Sequence, residues 1–356
     1  MFPWDTLAEP AAVARAHSDG IVDLSVGTPV DPVAPVIRAA LAEASAVPGY
    51  PMTAGTLQLR TSAVAALGRR YGVTGLAEHA VLPVIGSKEL IAWLPTLLGL
   101  GADDTVVVPE LAYPTYEVGA RLAGAQVIAA DSLTQLGPQS PAVLYLNSPS
   151  NPSGRVLGAD HLRKVVEWAR ERGTLVVSDE CYLGLGWTER PYSVLHPDVS
   201  GGDHTGLLAV HSLSKSSSLA GYRAGFVAGD AAVVAELLAV RKHAGMMVPG
   251  PVQAAMVAAL DDDDHEAAQR DRYARRRETL MAAFGAAGFG IEHSEAGLYL
   301  WASRDEPCRE TVDWLARRGI LVAPGDFYGA SGTRHVRVAI TATDERVQTA
   351  AERLTA

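Results

Sequence analysis

One lysine of this sequence lies inside a run of serines, and an arginine follows it eight residues later. The segment HSLSKSSSLAGYRAGF, residues 211–226, contains Ser212, Lys215 and Arg223. A lysine becomes a nucleophile at neutral pH when desolvation or nearby positive charge lowers its pKa, and it then forms a Schiff base with a carbonyl. Serine hydroxyls and a guanidinium are suitable ligands for a phosphate. Taken alone, the segment is also consistent with a serine-rich surface turn. The sequence has only four lysines, so lysine chemistry has four candidates: residues 88, 164, 215 and 242.

A carboxylate follows an apolar run in TLVVSDE, residues 174–180. This pattern predicts a strand that ends at Asp179, with the carboxylate partly shielded from water. A shielded carboxylate stays ionised only beside a cation or a strong hydrogen-bond donor. A lone aspartate at such a place is often a helix cap, but no helical pattern begins directly after this one. We therefore expect a cationic group to face Asp179.

Two other segments have patterns that could provide a rigid hydrogen-bond donor and a binding site for an anion. In YLNSPSNPSG, residues 145–154, Asn151 lies between two prolines that restrict the backbone. This segment is either a polar loop or a rigid mount for a hydrogen-bond donor. GSKEL, residues 86–90, predicts a glycine before a helix N-terminus, whose free N–H groups attract phosphate. A phosphate site, a carboxylate that needs a cation, a rigid asparagine and a reactive lysine together match the needs of pyridoxal 5'-phosphate.

Strand and helix patterns alternate over the middle of the chain, which is typical of βαβ units around a mostly parallel sheet. In such a sheet, ligands bind at the carboxyl ends of the strands, where the polar residues named above are predicted to lie. A dinucleotide-binding fold is not favoured, because no GxGxxG follows the first strand. Six or seven strands of one sheet are predicted, including 80–86, 105–110, 125–130, 142–147, 174–180, 207–212 and 224–229, with helices around 87–101, 114–124 and 159–173.

After about residue 230 the pattern changes to longer helices and a few short strands, at 297–303 and 335–340. We predict an α/β fold in which a large domain, residues 46–245, contains the mostly parallel sheet between helices. A smaller α+β domain, residues 246–356, is predicted to be joined by the N-terminal segment, residues 1–45. The acidic run DDDDHE, residues 261–266, is interpreted as a solvated helix start, because consecutive carboxylates do not converge on a metal ion.

The composition of the chain limits the classes of partner that we expect it to bind. The formal net charge of −10 argues against nucleic acid or an anionic membrane, because both attract basic surfaces. The N-terminus lacks the pattern of a signal peptide, so a cytoplasmic location is expected. The two cysteines, Cys181 and Cys308, form no CxxC motif, and the histidines have no metal-ligand spacing. We expect the cysteines to be packing residues and expect no metal site.

The ordered motifs SLSKSSSLAGYRAGF, NPSG, SDECY, ELAYPTY and GSKE resemble those of the fold-type I pyridoxal-phosphate enzymes, specifically the class I/II aminotransferases. The resemblance extends over nearly the whole chain. It implies that Lys215 forms the Schiff base with the cofactor and that Asp179 pairs with its pyridinium nitrogen. It further implies a phenolic-oxygen site at Asn151 and Tyr182, a ring stacked on Tyr113, and a phosphate site at Ser212, Ser214, Arg223 and the amides of Ser87 and Lys88.

The same resemblance implies a homodimer and a substrate site. The segment PGYPMTAGTLQLR, residues 48–60, contains Tyr50, which would reach the phosphate in the neighbouring subunit. Arg337 would bind the α-carboxylate of the substrate, and Gly27, together with Asn151, would line its pocket. Three of these assignments have plain alternatives: Tyr113 as a core residue, Lys88 as a solvated residue that uses only its amide, and Tyr50 as a strand-edge residue.

The implied activity is transfer of an amino group between an amino acid and a 2-oxo acid. Within the family, FPWDTLAEPAAVARAHSDGIVDLSVGTPVDP, PGYPMTAGT and SLAGYRAGFVAGD resemble the actinobacterial-type N-succinyldiaminopimelate aminotransferases. This implies N-succinyl-LL-2,6-diaminopimelate with 2-oxoglutarate, in lysine and diaminopimelate biosynthesis. The alternatives are aspartate, aromatic or LL-diaminopimelate specificity, and C–S β-lyase chemistry, because the same scaffold hosts several reactions. A cofactor-binding regulator without turnover is disfavoured by the acidic chain and by an N-terminus that runs directly into the enzyme segment.

Overall fold

The computed structural model describes residues 3–355. Its strands are, in chain order, β1 (Val22–Asp23), β2 (Val81–Ile85), β3 (Thr105–Val108), β4 (Gln126–Ala129), β5 (Val143–Asn147), β6 (Leu175–Asp179), β7 (Leu207–Ser212), β8 (Ala224–Gly229), β9 (Gly290–Glu292), β10 (Tyr299–Ser303), β11 (Ile320–Leu321), β12 (Ala323–Pro324) and β13 (Val336–Ala339). Its helices are α1 (Ala8–Arg15), α2 (Pro35–Ala44), α3 (Leu57–Tyr71), α4 (Ser87–Leu97), α5 (Thr115–Leu122), α6 (Leu133–Leu136), α7 (Ala159–Arg170), α8 (Pro197–Ser200), α9 (Ala231–Ala244), α10 (Gly250–Asp261), α11 (Asp263–Ala286), α12 (Cys308–Ala316) and α13 (Asp344–Thr355).

Seven strands form the main sheet, in the order β2-β8-β7-β6-β5-β3-β4. The five strands from β7 to β4 run parallel, and β8 runs antiparallel to both β7 and β2. The prediction of a mostly parallel sheet between helices is therefore confirmed. The parallel strands have nearly continuous apolar sequences because helices cover both of their faces.

Neighbouring residues of a strand face opposite layers of this fold. Val177 of β6 and Val210 of β7 pack in the layer that contains α4 and α5. Val176 and Ala209, one residue away, pack in the layer that contains α3, α7 and α10. This alternation decides which side chains at the strand ends reach the cleft described below.

A second sheet, of four antiparallel strands, has the order β12-β13-β10-β9, and β1 pairs in parallel with β11. Their core contains apolar residues of α11, α12 and α13, together with Leu7, Val22 and Leu24 from the N-terminal segment. Apolar residues of α10, such as Met256, pack instead with α3 in a core of the main sheet, as does Ile37 of α2. The domain boundaries at residues 45 and 245 stay predictions.

The acidic run begins a helix, as predicted, but it is not simply solvated. Asp263, the first residue of α11, accepts hydrogen bonds from Arg69 and Arg70 of α3. Glu266 forms an ion pair with Arg70 and accepts a hydrogen bond from Tyr71. These carboxylates therefore attach α11 to α3.

In the part of the chain from residue 3 to 355, none of the helices has the length and apolar character needed to cross a membrane.

Candidate active site

A cleft of about 700 Å³ lies at the carboxyl ends of the main-sheet strands, and residues of the second sheet complete its wall. All but one of the site residues predicted from the sequence line it. They are Gly27, Ser87, Lys88, Tyr113, Asn151, Asp179, Tyr182, Ser212, Ser214, Lys215, Arg223 and Arg337. The structure therefore brings together residues that are up to 310 positions apart in the sequence (337 − 27).

Asp179 is the last residue of β6, and its side chain is buried. The hydroxyl of Tyr116 donates a hydrogen bond of 2.8 Å to its Oδ2, and the backbone N–H of Cys181 donates one of 3.2 Å to its Oδ1. Burial raises the pKa of Asp179, and these donors limit the rise. Among residues 3–355, no arginine, lysine or histidine forms an ion pair with it. The cation expected opposite Asp179 is thus not a side chain of the described chain.

Lys215 lies in the turn after β7. Its ammonium donates a hydrogen bond to the carbonyl of Gly27. Burial lowers the pKa of Lys215, the guanidiniums of Arg337 and Arg223 lower it further, and Tyr299 opposes the shift. A lysine with a lowered pKa has more of the neutral amine that attacks a carbonyl.

The helix N-terminus predicted after Gly86 is the start of α4 at Ser87. Gly86 has a φ of 78°, and a Cβ built there would collide with the guanidinium of Arg223. The backbone of Arg223 is itself in the left-handed conformation, with a φ of 56°. Its guanidinium donates a hydrogen bond of 2.8 Å to the carbonyl of Ala220. Ser212 lies in the same wall and accepts a hydrogen bond of 3.2 Å from the N–H of Ser214. Helix N–H groups, a guanidinium and hydroxyls thus converge, which suits a phosphate.

Arg337 is buried in β13 and faces the cleft. It donates hydrogen bonds of 2.9 Å to Oδ1 of Asn151 and of 2.7 Å to the carbonyl of Ser25. Its guanidinium carbon is 3.9 Å from the ring centroid of Tyr299 and 5.8 Å from that of Trp4. Since no carboxylate of residues 3–355 forms an ion pair with Arg337, it is suited to bind the carboxylate of a ligand. Asn151 keeps its side-chain N–H group as a donor.

Two tyrosine hydroxyls meet in the cleft. Those of Tyr182 and Tyr299 are 3.3 Å apart. Burial raises the pKa of both groups, but Arg337 and Lys215 outweigh this effect at Tyr299 and lower its pKa overall. A Cβ built on Gly27 would be 2.9 Å from the Tyr299 ring, so only glycine leaves room for this tyrosine.

Sequence reasoning missed several residues of the cleft wall: Trp4, Tyr116, Cys181 and Tyr299. Both cysteines pack in or against the core of the second sheet, as expected, and Cys181 also lines the cleft. Tyr116 had a usable signal, because it follows Tyr113 by three residues at the start of a helix. Tyr299 had none, because an aromatic residue in an apolar strand is typical of a core.

Tyr50 is outside the cleft. Its side chain is 98% exposed, and Val47, Met52 and Leu57 nearby in the chain are also exposed. The predicted contact with a neighbouring subunit therefore stays a prediction, and the geometry of a single chain is compatible with it.

Pyridoxal phosphate fits the cleft by the chemistry of its residues. The buried carboxylate of Asp179 has only neutral donors, which suits a protonated ring nitrogen. The α4 N-terminus and Arg223 suit the phosphate, and Lys215 supplies an amine for the carbonyl.

Comparison with known proteins gives the same result. The sequence model of the family "Aminotransferase class I and II" matches residues 19–354. The chain is 77% identical to a probable aminotransferase of Mycobacterium tuberculosis, over 100% of this chain and 85% of that protein. It is 58% identical to the 4-dedimethylamino-4-oxo-anhydrotetracycline transaminase of Streptomyces rimosus, over 99% of this chain and 98% of that protein. The solved N-succinyldiaminopimelate aminotransferase of Mycobacterium tuberculosis superposes with a TM-score of 0.88 at 25% identity, over 98% of this chain and 96% of that one. The chain therefore belongs to the class I and II aminotransferases, a family of fold-type I enzymes that depend on pyridoxal phosphate.

Proposed function

We propose that this aminotransferase exchanges an amino group between N-succinyl-LL-2,6-diaminopimelate and 2-oxoglutarate, in lysine and diaminopimelate biosynthesis. The observation that carries the proposal is the pair of cationic side chains that line one cleft. Arg337 suits the α-carboxylate, and Lys88, whose Nζ is 5.9 Å from the Tyr113 ring centroid, lines the same cleft. A long dianionic substrate suits two such cations. A cytoplasmic location is part of this proposal.

We propose the following roles for the side chains. The bound cofactor supplies an electron sink for the α-carbon of the substrate. Lys215 would act as the general base that takes the proton from that α-carbon and as the general acid that returns it. Asp179 would keep the ring nitrogen protonated. Asn151 and Tyr182 would hold the phenolic oxygen, and Tyr113 would hold the ring.

A homodimer belongs to the proposal as well. Four exposed, mostly apolar side chains, those of Val47, Tyr50, Met52 and Leu57, lie in the segment before α3 and at its first residue. Exposed apolar residues that cluster in this way often mark an interface. Tyr50 of one subunit would then reach the phosphate bound in the other, so each active site would need both chains.

A second candidate substrate has specific support. The relative from Streptomyces rimosus, 58% identical to this chain, is named for amino transfer to a tetracycline ketone. That identity is more than twice the 25% identity to the N-succinyldiaminopimelate aminotransferase. A cleft of about 700 Å³ with aromatic and aliphatic walls suits a bulky, largely apolar ketone. A polycyclic ketone is therefore the second candidate acceptor.

Separate half-reactions test the substrate. The protein loaded with pyridoxal phosphate is mixed with single amino acids, and the loss of visible absorbance gives a rate for each. The panel contains N-succinyl-LL-2,6-diaminopimelate, LL-diaminopimelate, glutamate, aspartate, phenylalanine and a cysteine S-conjugate, the last also assayed for pyruvate. In the reverse direction, the pyridoxamine form is mixed with 2-oxoglutarate or a tetracyclic ketone.

We expect the rate constant for N-succinyl-LL-2,6-diaminopimelate to exceed those of aspartate, phenylalanine and LL-diaminopimelate by at least about tenfold, as one added charged contact predicts. A faster reaction with one of those amino acids would contradict the assignment. A ketone that outcompetes 2-oxoglutarate would favour the second candidate.

A further inference from the structure

Two buried residues next to the cofactor-binding positions have no role in the mechanism above. Glu180 directly follows Asp179, and His211 directly precedes Ser212. Because successive residues of a strand face opposite sides, Asp179 and Ser212 face the cleft, whereas Glu180 and His211 lie beside residues of α3. The two unassigned residues thus lie behind the cleft, at the ends of neighbouring strands.

Glu180 and His211 are partners. Nε2 of His211 is 3.4 Å from Oε2 of Glu180, and the two side chains are 7% and 0% exposed. Within residues 3–355 neither of these two atoms forms a hydrogen bond, so both are buried polar atoms that are left facing each other. The other carboxyl oxygen of Glu180 accepts a hydrogen bond of 2.7 Å from the N–H of Val194. The imidazole is thus the polar group placed to share a proton with the remaining carboxyl oxygen, at a distance slightly longer than a typical hydrogen bond.

The imidazole also lies nearly parallel to two aromatic rings. The ring centroid of Tyr71 is 6.1 Å from that of His211, with 7° between the planes. The centroid of Phe226 is 5.0 Å away, with 23° between the planes. A cavity of about 30 Å³ adjoins the pair, which is room for a water molecule but not for a substrate. Glu180 and His211 thus have no direct access to the reacting atoms.

The surroundings favour a net neutral pair. No arginine or lysine of residues 3–355 forms an ion pair with Glu180. The nearby charged and titratable groups are Asp179 on the same strand, Tyr71 and Arg70 on α3, and Glu266 on α11, which is paired with Arg70. Burial raises the pKa of Glu180 to about 7 and lowers the pKa of His211 to about 3. Between these two pKa values, the pair as a unit therefore holds one proton.

We infer that Glu180 and His211 share one proton and act as a positioning pair, which fixes the ends of β6 and β7 and so holds Asp179 and Ser212 at the distance that the cofactor requires. The N–H of Glu180 also donates a hydrogen bond of 2.9 Å to the carbonyl of Val210, so the pair lies where the two strands last contact each other. The inference rests on the aminotransferase activity and not on the identity of the substrate.

Three variants test the positioning role. Glu180→Gln keeps the shape and places an amide N–H opposite Nε2 of His211, whereas Glu180→Ala removes the contact. Glu236→Gln, on the exposed side of α9, is the matched control. We expect Glu180→Ala to raise the Kd of pyridoxal phosphate and to lower kcat, each by at least about tenfold, as the loss of a buried hydrogen bond predicts. The KM of the amino donor should change less than twofold, and Glu180→Gln and the control should stay within about twofold of wild type in all three constants.

A pH profile of unfolding, measured on the cofactor-free protein by urea titration, tests the shared proton. Between about pH 4.3 and 6.5, the unfolded chain holds one proton on His211, and the folded pair holds one as well, so the pair adds no pH dependence. In the folded Glu180→Gln variant, the glutamine cannot be protonated and the buried His211 is neutral, so residues 180 and 211 together hold no titratable proton. Its unfolding constant relative to wild type should therefore rise about tenfold for each pH unit below 6.5.

Parallel pH profiles for wild type and Glu180→Gln would overturn the shared proton. An unchanged cofactor Kd and kcat in Glu180→Ala would overturn the positioning role. Failure of the activity itself is distinguishable, because a wild type without transamination would still give the two unfolding profiles.

Discussion

The hydroxyl of Tyr116 donates a hydrogen bond of 2.8 Å to Oδ2 of Asp179, and both groups are buried. This donor opposes the rise that burial causes in the pKa of Asp179. It thereby favours the ionised carboxylate, which is the form that pairs with a protonated ring nitrogen. Tyr116 thus supports the electrostatics of the cofactor site without lying at the end of a strand.

Tyr116→Phe should weaken cofactor binding. Removal of the hydroxyl raises the pKa of Asp179 further and costs about 1 to 1.5 kcal/mol, which corresponds to a Kd of pyridoxal phosphate about tenfold higher. The measurement is a titration of the cofactor-free protein with pyridoxal phosphate. Tyr145→Phe is the matched control: Tyr145 stacks on Tyr116 at 5.0 Å, but its hydroxyl donates its hydrogen bond to the carbonyl of Ile91 and not to Asp179. Equal effects of the two substitutions would argue against a specific role for the Tyr116 hydroxyl.

Lys215→Ala should abolish the visible absorbance of the lysine-bound cofactor. The same variant should lose at least about 100-fold in kcat, because a positioned general base contributes that much or more. Absorbance spectra of the reconstituted protein and single-turnover rates measure both effects. Lys242→Ala, in the last turn of α9, serves as the control and should keep both properties. A normal spectrum in Lys215→Ala would assign the cofactor to another amine.

Arg337→Lys should raise KM more than it lowers kcat. The guanidinium bonds to Asn151 and Ser25 while it faces the cleft, and a lysine cannot maintain both contacts and also bind a carboxylate in bidentate fashion. Loss of such a charged hydrogen bond costs about 1.5 to 3 kcal/mol, or about 10- to 100-fold in KM for the amino donor. Steady-state kinetics at saturating cofactor measure the change, with Arg317→Lys on the surface as the control. A KM within twofold of wild type would place the carboxylate elsewhere.

Much of the site was predictable because its residues follow strand patterns. Asp179, Ser212 and Lys215 lie at or just after the carboxyl ends of β6 and β7. In an open parallel sheet, ligands bind at these ends of the strands. The main sheet was predictable for the same reason, since its buried strands have short apolar sequences.

The remaining contacts of the site join residues that are far apart in the sequence, so local sequence patterns do not predict them. The sequence predicts a cationic group opposite Asp179, but it does not reveal that the hydroxyl of Tyr116, 63 positions away in the chain, also donates a hydrogen bond to this carboxylate. Tyr299 reaches the cleft only because β10 pairs with β13 next to Arg337. Glu180 and His211 meet through the register of β6 and β7, which periodicity does not reveal.

Mixed dimers test whether Tyr50 completes the active site of a neighbouring chain. Tyr50→Ala and Lys215→Ala should each be nearly inactive alone. When equal amounts are combined by refolding or coexpression, half of the dimers contain one chain of each kind, and one of their two sites is intact. About a quarter of wild-type activity should therefore return if the oligomer is a symmetric dimer with shared sites.

A second mixture controls for nonspecific rescue. Asp179 and Lys215 line the cleft of one and the same chain. Hybrids of Asp179→Ala with Lys215→Ala therefore contain no intact site and should stay inactive. Recovery in the Tyr50 mixture alone would require that Tyr50, 98% exposed in the single chain, acts across an interface. Equal results for both mixtures, whether active or inactive, would contradict a shared site and leave Tyr50 a surface residue.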